Sequence, residues 1–216
     1  MRATNGRAEI LRAARDTFAR KGFDGASIRD IAQEAGLSLS ALYYYFPSKQ
    51  DALHELIKNA YTWFIEHASG VIRDAGESHA DQLATLVRFV VRYRTQNTLI
   101  SRVVLQDTAR LDPERYEDIH ELQRASRAVI YDVVAAGMES GTFRVENSEI
   151  SGRAILAVVN AISLWYRAGG PITAETLERE YVLYALRLLG WERIDEPGEL
   201  DRMLGLPLTE SGEADF

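Results

Sequence analysis

Residues 27–46, SIRDIAQEAGLSLSALYYYF, decide how this chain is read. Ser27 is placed to cap a helix that carries Ile28, Ile31, Ala32 and Ala35 on one face. Asp30 stands three residues on, where a capping box wants a carboxylate. Gly36 follows the last apolar residue, as a left-handed C-terminal cap requires. Ser38 can cap a second helix, and Leu37 and Leu42 have the spacing of a hydrophobic staple. Pro47 stops that helix, because the residue before a proline avoids the α region. Two short capped helices with so tight a joint predict a helix-turn-helix, which places its second helix in the DNA major groove.

A helical wheel locates the surface that would meet DNA. With Leu42 at zero and about 100° per residue, Phe46 lies near ~40°, so these two define the buried side. Ser40 and Tyr44 fall roughly 160–200° away, opposite that side, with Leu39, Ala41 and Tyr43 on the flanks. The outward face is therefore made of small residues and tyrosine hydroxyls. Small residues let a helix seat deeply, and a tyrosine tip can reach a phosphate or a base edge. The competing reading, that the tyrosines are core, suits Tyr45 but not Tyr44.

The run G-L-S-L-S-A-L-Y-Y-Y-F-P-S-K, from Gly36 to Lys49, resembles the signature of the TetR-type transcriptional regulators. F-A-R-K-G-F at 18–23 and S-I-R-D-I-A at 27–32 extend the resemblance, which covers about residues 5–65. It implies a three-helix DNA-binding domain, a larger all-helical ligand domain and a homodimer. Carried over residue by residue, it implies that Ser38, Ser40 and Tyr44 approach the groove, with Leu39 and Ala41 on the same side. Tyr43 and Lys49 would then meet phosphate, while Ser27 and Arg29 anchor the backbone and Arg29 could also reach a base. Leu39 and Ala41 depart from the polar or basic residue and the threonine that many relatives carry there, so the base sequence does not carry over. Two readings stay open for Ser27, Ser38 and Ser48, as caps or as contacts, and Lys49 can equally be an ordinary solvated charge.

The chain has 216 residues, enough for two helical domains. It holds no cysteine, which excludes disulfides and thiolate metal sites and suits a reducing cytoplasm. Neither a signal peptide nor an apolar run of the ~20 residues that span a bilayer is present. Residues 1–52 carry eight Lys or Arg and six Asp or Glu, a net of +2 in a chain of net −7, which leaves −9 for the rest. An acidic protein still binds DNA when its basic face is local. Arg2, Arg7, Arg12, Arg15, Arg20 and Lys21 load the first helix, either along phosphates or as a solvated face.

Apolar spacing and breakers predict helices throughout, hence an all-α fold; the resemblance implies that it comprises an N-terminal three-helix helix-turn-helix domain and a larger antiparallel helical domain for ligand binding and dimerisation. The first helix runs from about Asn5 to Lys21 with Ile10, Leu11, Ala14 and Phe18 inward, closed by Gly22. Further helices are expected at about 48–72, 81–94, 100–108, 113–139, 148–167 and 173–189, with a joint at Gly70–Ala80. The predicted domains are 1–52 for DNA binding, 53–190 for ligand binding and dimerisation, and a partly mobile tail at 191–216. That tail has eight acids and two bases, and its Met203, Leu204, Leu206 and Leu208 can dock. The helix at 148–167 is apolar on more than one side, with Ile150, Ile155, Leu156, Val158, Val159, Ile162, Leu164 and Trp165. Such a helix packs against its own core and something else. The resemblance implies that this is the other subunit of a homodimer, met together with 173–189; the alternative is the central helix of a monomeric bundle.

N-A-I-S-L-W-Y-R-A-G-G-P-I-T-A-E-T, from Asn160 to Thr176, resembles a branch of TetR-type regulators with members that respond to acyl-coenzyme A thioesters. Trp165 and Tyr166 can line an apolar pocket and Arg167 can meet a phosphate. Arg88 and Arg92, four apart on another helix, can form an anionic clamp. The alternative is that W-Y-R is interface and helix end, and a drug-like or aromatic inducer stays open beside the thioester. His54, His67, His79 and His120 form no metal-spacing pair, and no nucleophile motif or phosphate-binding glycine loop occurs. No cofactor is expected. The expected protein is a cytoplasmic, ligand-responsive homodimeric repressor on a palindromic DNA site. The rival is an all-helical carrier or enzyme with a coincidental helix-turn-helix.

Overall fold

A computed structural model describes residues 2–208, with side chains from residue 6 onward. Those residues form α1 (Arg2–Gly25), α2 (Ile28–Glu34), α3 (Leu39–Tyr45), α4 (Lys49–Asp74), α5 (His79–Gln96), α6 (Thr98–Asp107), α7 (Pro113–Glu139), α8 (Ser148–Trp165), α9 (Ala174–Leu188) and α10 (Glu199–Leu204). Two 3₁₀ turns, Thr108–Arg110 and Glu192–Asp195, complete the order, and no strand occurs among the described residues. The all-α class follows from caps and breakers. Ser27, Ser38, Ser78, Asn147 and Thr173 each accept a backbone N–H at a helix start. Gly22 and Gly36 take φ of 69° and 65°, a region that favours glycine, and so end α1's regular run and the α2 turn.

The described chain divides into two compact units. One comprises the residues up to Trp63 together with Leu99–Gln123, and the other Phe64–Thr98 with Arg124 onward. In the first, α1 packs on α2 and α2 on α3 around Ile10, Leu11, Ala14, Phe18, Ile31, Leu42 and Phe46, all buried. The division falls inside α4 and assigns residues 99–123 to the first unit.

In the second unit α5 is the hub, packed against α8, α9 and α10. Phe89 and Tyr93 of α5 cluster with Phe64, with ring centroids 5.5–6.5 Å apart. Gly152 of α8 lets Tyr131 of α7 come close: a Cβ there would lie 2.5 Å from the ring. The joint expected at Gly70–Ala80 is shorter than its composition suggests. Gly70 lies inside α4, which continues because Ala68 and Val71 keep the buried face running. Beyond Trp191 the chain docks through buried Trp191, Ile194 and Met203, and Arg202 pairs with Asp81 at 2.6 Å. The part of the expected mobile tail at 209–216 lies outside the described residues, as does the side chain of Arg2.

Candidate nucleic-acid interface and regulatory site

The helix-turn-helix is held by its own side chains. Ser27 Oγ accepts the Asp30 N–H at 3.1 Å, and Asp30 Oδ2 accepts the Ser27 N–H at 2.9 Å, a reciprocal capping box. Hydrogen bonds from Lys21, then from Ser27, hold the Asp30 carboxyl well below the usual carboxylate range. Ser38 Oγ accepts the Ala41 N–H at 3.2 Å and starts α3. Leu42 and Phe46 are fully buried, whereas Tyr44 is 82% exposed and Tyr43 46%. Ser38 and Ser40 are exposed, and Leu39, Ala41 and Tyr45 half-buried. Tyr44 rests edge-on against Tyr45 at 5.1 Å. The outward face is thus the one the wheel places there, because the 100° step and the two buried anchors leave Tyr44 no other side.

Lys49 is placed differently from an ordinary solvated charge. Its Nζ donates to the carbonyls of Phe23 at 2.8 Å and Ala26 at 3.0 Å, and lies 4.2 Å from the Phe23 ring centre. Two of its three donors are used inside the protein, which leaves one for a phosphate. Arg29 and Ser27 are exposed at the start of α2. Of the α1 cations, Arg7 pairs with Glu55, Arg20 with Glu34 and Lys21 with Asp30, so much of that face is neutralised within the chain.

Residues 10–56 match the model of the bacterial regulatory proteins, tetR family, and residues 76–189 match the tetracyclin repressor-like C-terminal domain. The chain belongs to the TetR family. It is 30% identical over 185 residues to the HTH-type transcriptional repressor KstR2 of Rhodococcus jostii, covering 83% of this chain and 89% of that protein. The structure of the ketosteroid transcriptional regulator KstR2 of Mycobacterium tuberculosis aligns with a TM-score of 0.77 at 26% identity, over 87% of this chain and 95% of the other. The structure of AibR in complex with isovaleryl coenzyme A and operator DNA aligns with a TM-score of 0.76 over 82% and 96%; at 18% identity this shows a shared fold. The chain is a DNA-binding transcriptional regulator and not an enzyme. Among the described residues no group of His, Asp and Glu could hold a metal ion, and no helix is long and apolar enough to cross a membrane.

In the second unit of this TetR-family protein the anionic clamp is already filled. Arg88 and Arg92 converge on the Glu178 carboxylate of α9, at 3.3 Å from Arg88 Nε and 2.6 Å from Arg92 Nε. Arg88, 4% exposed, also donates to the carbonyls of Met203 and Leu206 at 3.1 and 2.9 Å. Burial pushes the Arg88 guanidinium down, and Glu178 supports its charge. A guanidinium so deep requires an internal anion. Glu178 went unremarked in the sequence, although an acid four residues before buried Val182 sits in the inward register of α9.

Trp165 and Arg167 are exposed at and beyond the end of α8, with Tyr166 half-buried and its ring 6.5 Å from that of Trp165. Arg94 instead ties α5 to α8 through Asn160 Oδ1, at 2.9 Å. A cavity of about 250 Å³ opens elsewhere, among Glu66, His67, Gly70, Val71, Arg73 and Asp74 of α4 and Phe89 of α5. None of the five expected ligand residues lines it.

Proposed function

We propose that this regulator is a cytoplasmic homodimeric repressor that binds a near-palindromic DNA site and leaves it when a small molecule binds its C-terminal domain. The observation that carries the DNA assignment is the outward surface of α3, with Tyr44 almost fully exposed beside Ser40, opposite buried Leu42 and Phe46. Tyr44, Ser38, Ser40, Leu39 and Ala41 face the groove; Tyr43, Ser27 and Arg29 meet the backbone. Lys49 gives phosphate its remaining donor, and its carbonyl bonds fix the turn beside it. A dimer would present two copies of α3 to half-sites about one helical turn, ~34–36 Å, apart.

The dimer surface is the exposed side of α8 and α9. Ile150, Val158, Leu164 and Trp165 on α8, with Tyr184 and Leu188 on α9, are 44–65% exposed, while Ile155, Val159 and Ile162 of the same α8 are buried. A shallow groove lined by Ile155, Val158, Val159, Tyr181, Tyr184, Ala185 and Leu188 runs along this face. An apolar face of this extent is costly in water and favours a partner.

For the inducer we propose an acyl-coenzyme A thioester, its acyl chain near Trp165 and Tyr166 and its phosphates met by Arg167. Support comes from the resemblance of residues 160–176 and from the fold shared with AibR, whose structure holds isovaleryl coenzyme A. Arg88 and Arg92 would join only if the anion displaced Glu178. The test is thermal shift across acyl-coenzyme A thioesters, free fatty acids, aromatic acids and cationic drugs, since a ligand that prefers the native state raises the midpoint. Stabilisation and DNA release by cationic or neutral aromatics alone would replace the thioester with a drug-type inducer.

A further inference from the structure

The turn that joins α1 to α2 is held from two sides by residues remote in sequence. From α4, Lys49 Nζ takes the carbonyls of Phe23 and Ala26. From the end of α6, Asp107 Oδ1 accepts the Phe23 N–H at 3.3 Å, in a buried setting eighty-four residues away. Around it Arg110 reaches Asp24 at 3.5 Å, and Gln50 Nε2 donates to the Arg110 carbonyl at 2.9 Å. Gln50 Oε1 accepts the Asp112 N–H at 3.3 Å, and Arg115 bridges Asp112 and Asp51. Residues 107–115 thus form a polar bracket on residues 23–24 and 50–51, all within the first compact unit.

What the bracket holds is the step before the DNA-facing residues. Ser27 and Arg29 follow the turn directly, and the two carbonyls that hold Lys49 belong to it. Phe23 and Ala26 are buried, so an unmet N–H at Phe23 has no water to turn to. We propose that Asp107 is a positioning residue for DNA reading: it never touches DNA, but its carboxylate fixes the turn that sets where Ser27, Arg29 and Lys49 stand. A buried carboxylate is an expensive way to accept one N–H, since an amide would serve without the charge. The neighbouring Arg110 explains why a charge is tolerated, and Gln50 fixes the main chain beside it. The DNA-reading head therefore comprises two stretches of chain, and the second lies within the part matched by the C-terminal family model.

This rests on the reading of α3 as the recognition helix, and the test separates the two. Full-length parent, Asp107→Ala, Asp107→Asn and Tyr44→Ala would be measured on a duplex selected by the parent from a random pool, and on a scrambled duplex. Asp107→Ala should bind the selected duplex about tenfold more weakly, which is about 1.4 kcal/mol, because the released turn must be ordered again each time the protein binds. Its affinity for the scrambled duplex should hold within about twofold, because non-specific binding draws on many loosely placed phosphate contacts, whereas on the selected duplex the contacts of Ser27, Arg29 and Lys49 set the register in which α3 meets the bases. Asp107→Asn keeps an oxygen acceptor and should bind as the parent does. Parent-like binding by Asp107→Ala while Tyr44→Ala fails overturns this inference alone. Parent-like binding by both overturns the recognition-helix reading as well. An equal loss on both duplexes makes Asp107 merely structural and also overturns the inference. If Asp107→Ala does not fold, Gln50→Ala, on the rim of the bracket, should weaken selective binding a few-fold, and an unchanged selectivity ratio refutes the bracket.

Discussion

Replacing Glu178 by Ala should be among the most damaging single changes available in the second compact unit. The carboxylate is 5% exposed and accepts Arg88 Nε at 3.3 Å, Arg92 Nε at 2.6 Å and Arg92 Nη2 at 3.2 Å. Its loss leaves Arg88, 4% exposed, with only the Met203 and Leu206 carbonyls. Breaking a buried pair by removing one partner costs about 3–5 kcal/mol, because the remaining charge is uncompensated. In a chain of this size each kcal/mol lowers Tm by about 2–4 °C, so the expected fall is about 6–20 °C. Arg92, being less buried, can turn to water and should matter less. The double replacement Glu178→Leu with Arg88→Met removes both charges and should recover most of the loss. Calorimetry or dichroism melts of the parent, Glu178→Leu, Arg88→Met and their double variant complete the cycle, with Glu178→Ala measured beside them. A fall below about 2 °C for Glu178→Ala, or a double variant worse than the sum of the singles, would refute the account of this pair as mutually required charges.

Ala157→Glu, on the exposed side of α8, should convert the dimer to monomers with little change in helicity, as sedimentation would show; a parent that is itself monomeric at micromolar concentration defeats the interface assignment. Truncation after Gly190 removes buried Trp191, Ile194 and Met203 and two carbonyl partners of Arg88, and should cost several kcal/mol by urea melts, at about 1.5–3 kcal/mol for a single large apolar side chain. Burial raises the Asp107 carboxyl above its ordinary value, so the stability it withholds is greatest at neutral pH and returns as pH falls through that raised value. Asp107→Asn should therefore raise Tm at pH 7, and the gain should vanish near pH 4, the ordinary carboxylate pKa of about 3.9. Burial alone would raise Asp51, but Ser48 and Arg115 outweigh it, and hydrogen bonding from Arg202 lowers Glu199. Both should lose stability as pH drops below about 4, and Arg115→Gln should lessen that acid loss in melts across pH.

Local signals in the sequence were enough for the helix-turn-helix. Ser27, Asp30, Gly36 and Ser38 act within four residues of themselves, and the buried pair Leu42 and Phe46 orients α3 without reference to anything distant. The two-sided apolar pattern of α8 was legible for the same reason: Ile155 and Val159 share one face while Val158 and Trp165 lie off it. What could not be read was partnership across the chain. Arg88 lies in the run L-V-R-F-V-V, which announces a buried cation, but nothing local says that its anion is Glu178, ninety residues on. Asp107 and Phe23 are as far apart. Lys49 fits the family pattern by position, yet its ammonium is spent on two carbonyls that only the folded α1–α2 turn brings near. After Trp191 the sequence marks Met203 as able to dock, but the burial of Trp191 and Ile194 beside it and the pairing of Arg202 with Asp81 depend on partners far away in the chain.

The central claim is that α3 reads DNA with its tyrosine face. The direct measurement is fluorescence anisotropy of a parent-selected duplex with the parent and with the Tyr43→Phe, Tyr44→Ala double variant, over a range of salt. The parent should bind with an affinity that falls steeply with salt. The double variant should bind at least about tenfold more weakly while keeping the parent's melting temperature and mass, since each good groove contact is worth ~1–3 kcal/mol. Equal affinity and an equal salt slope for the two proteins would contradict it.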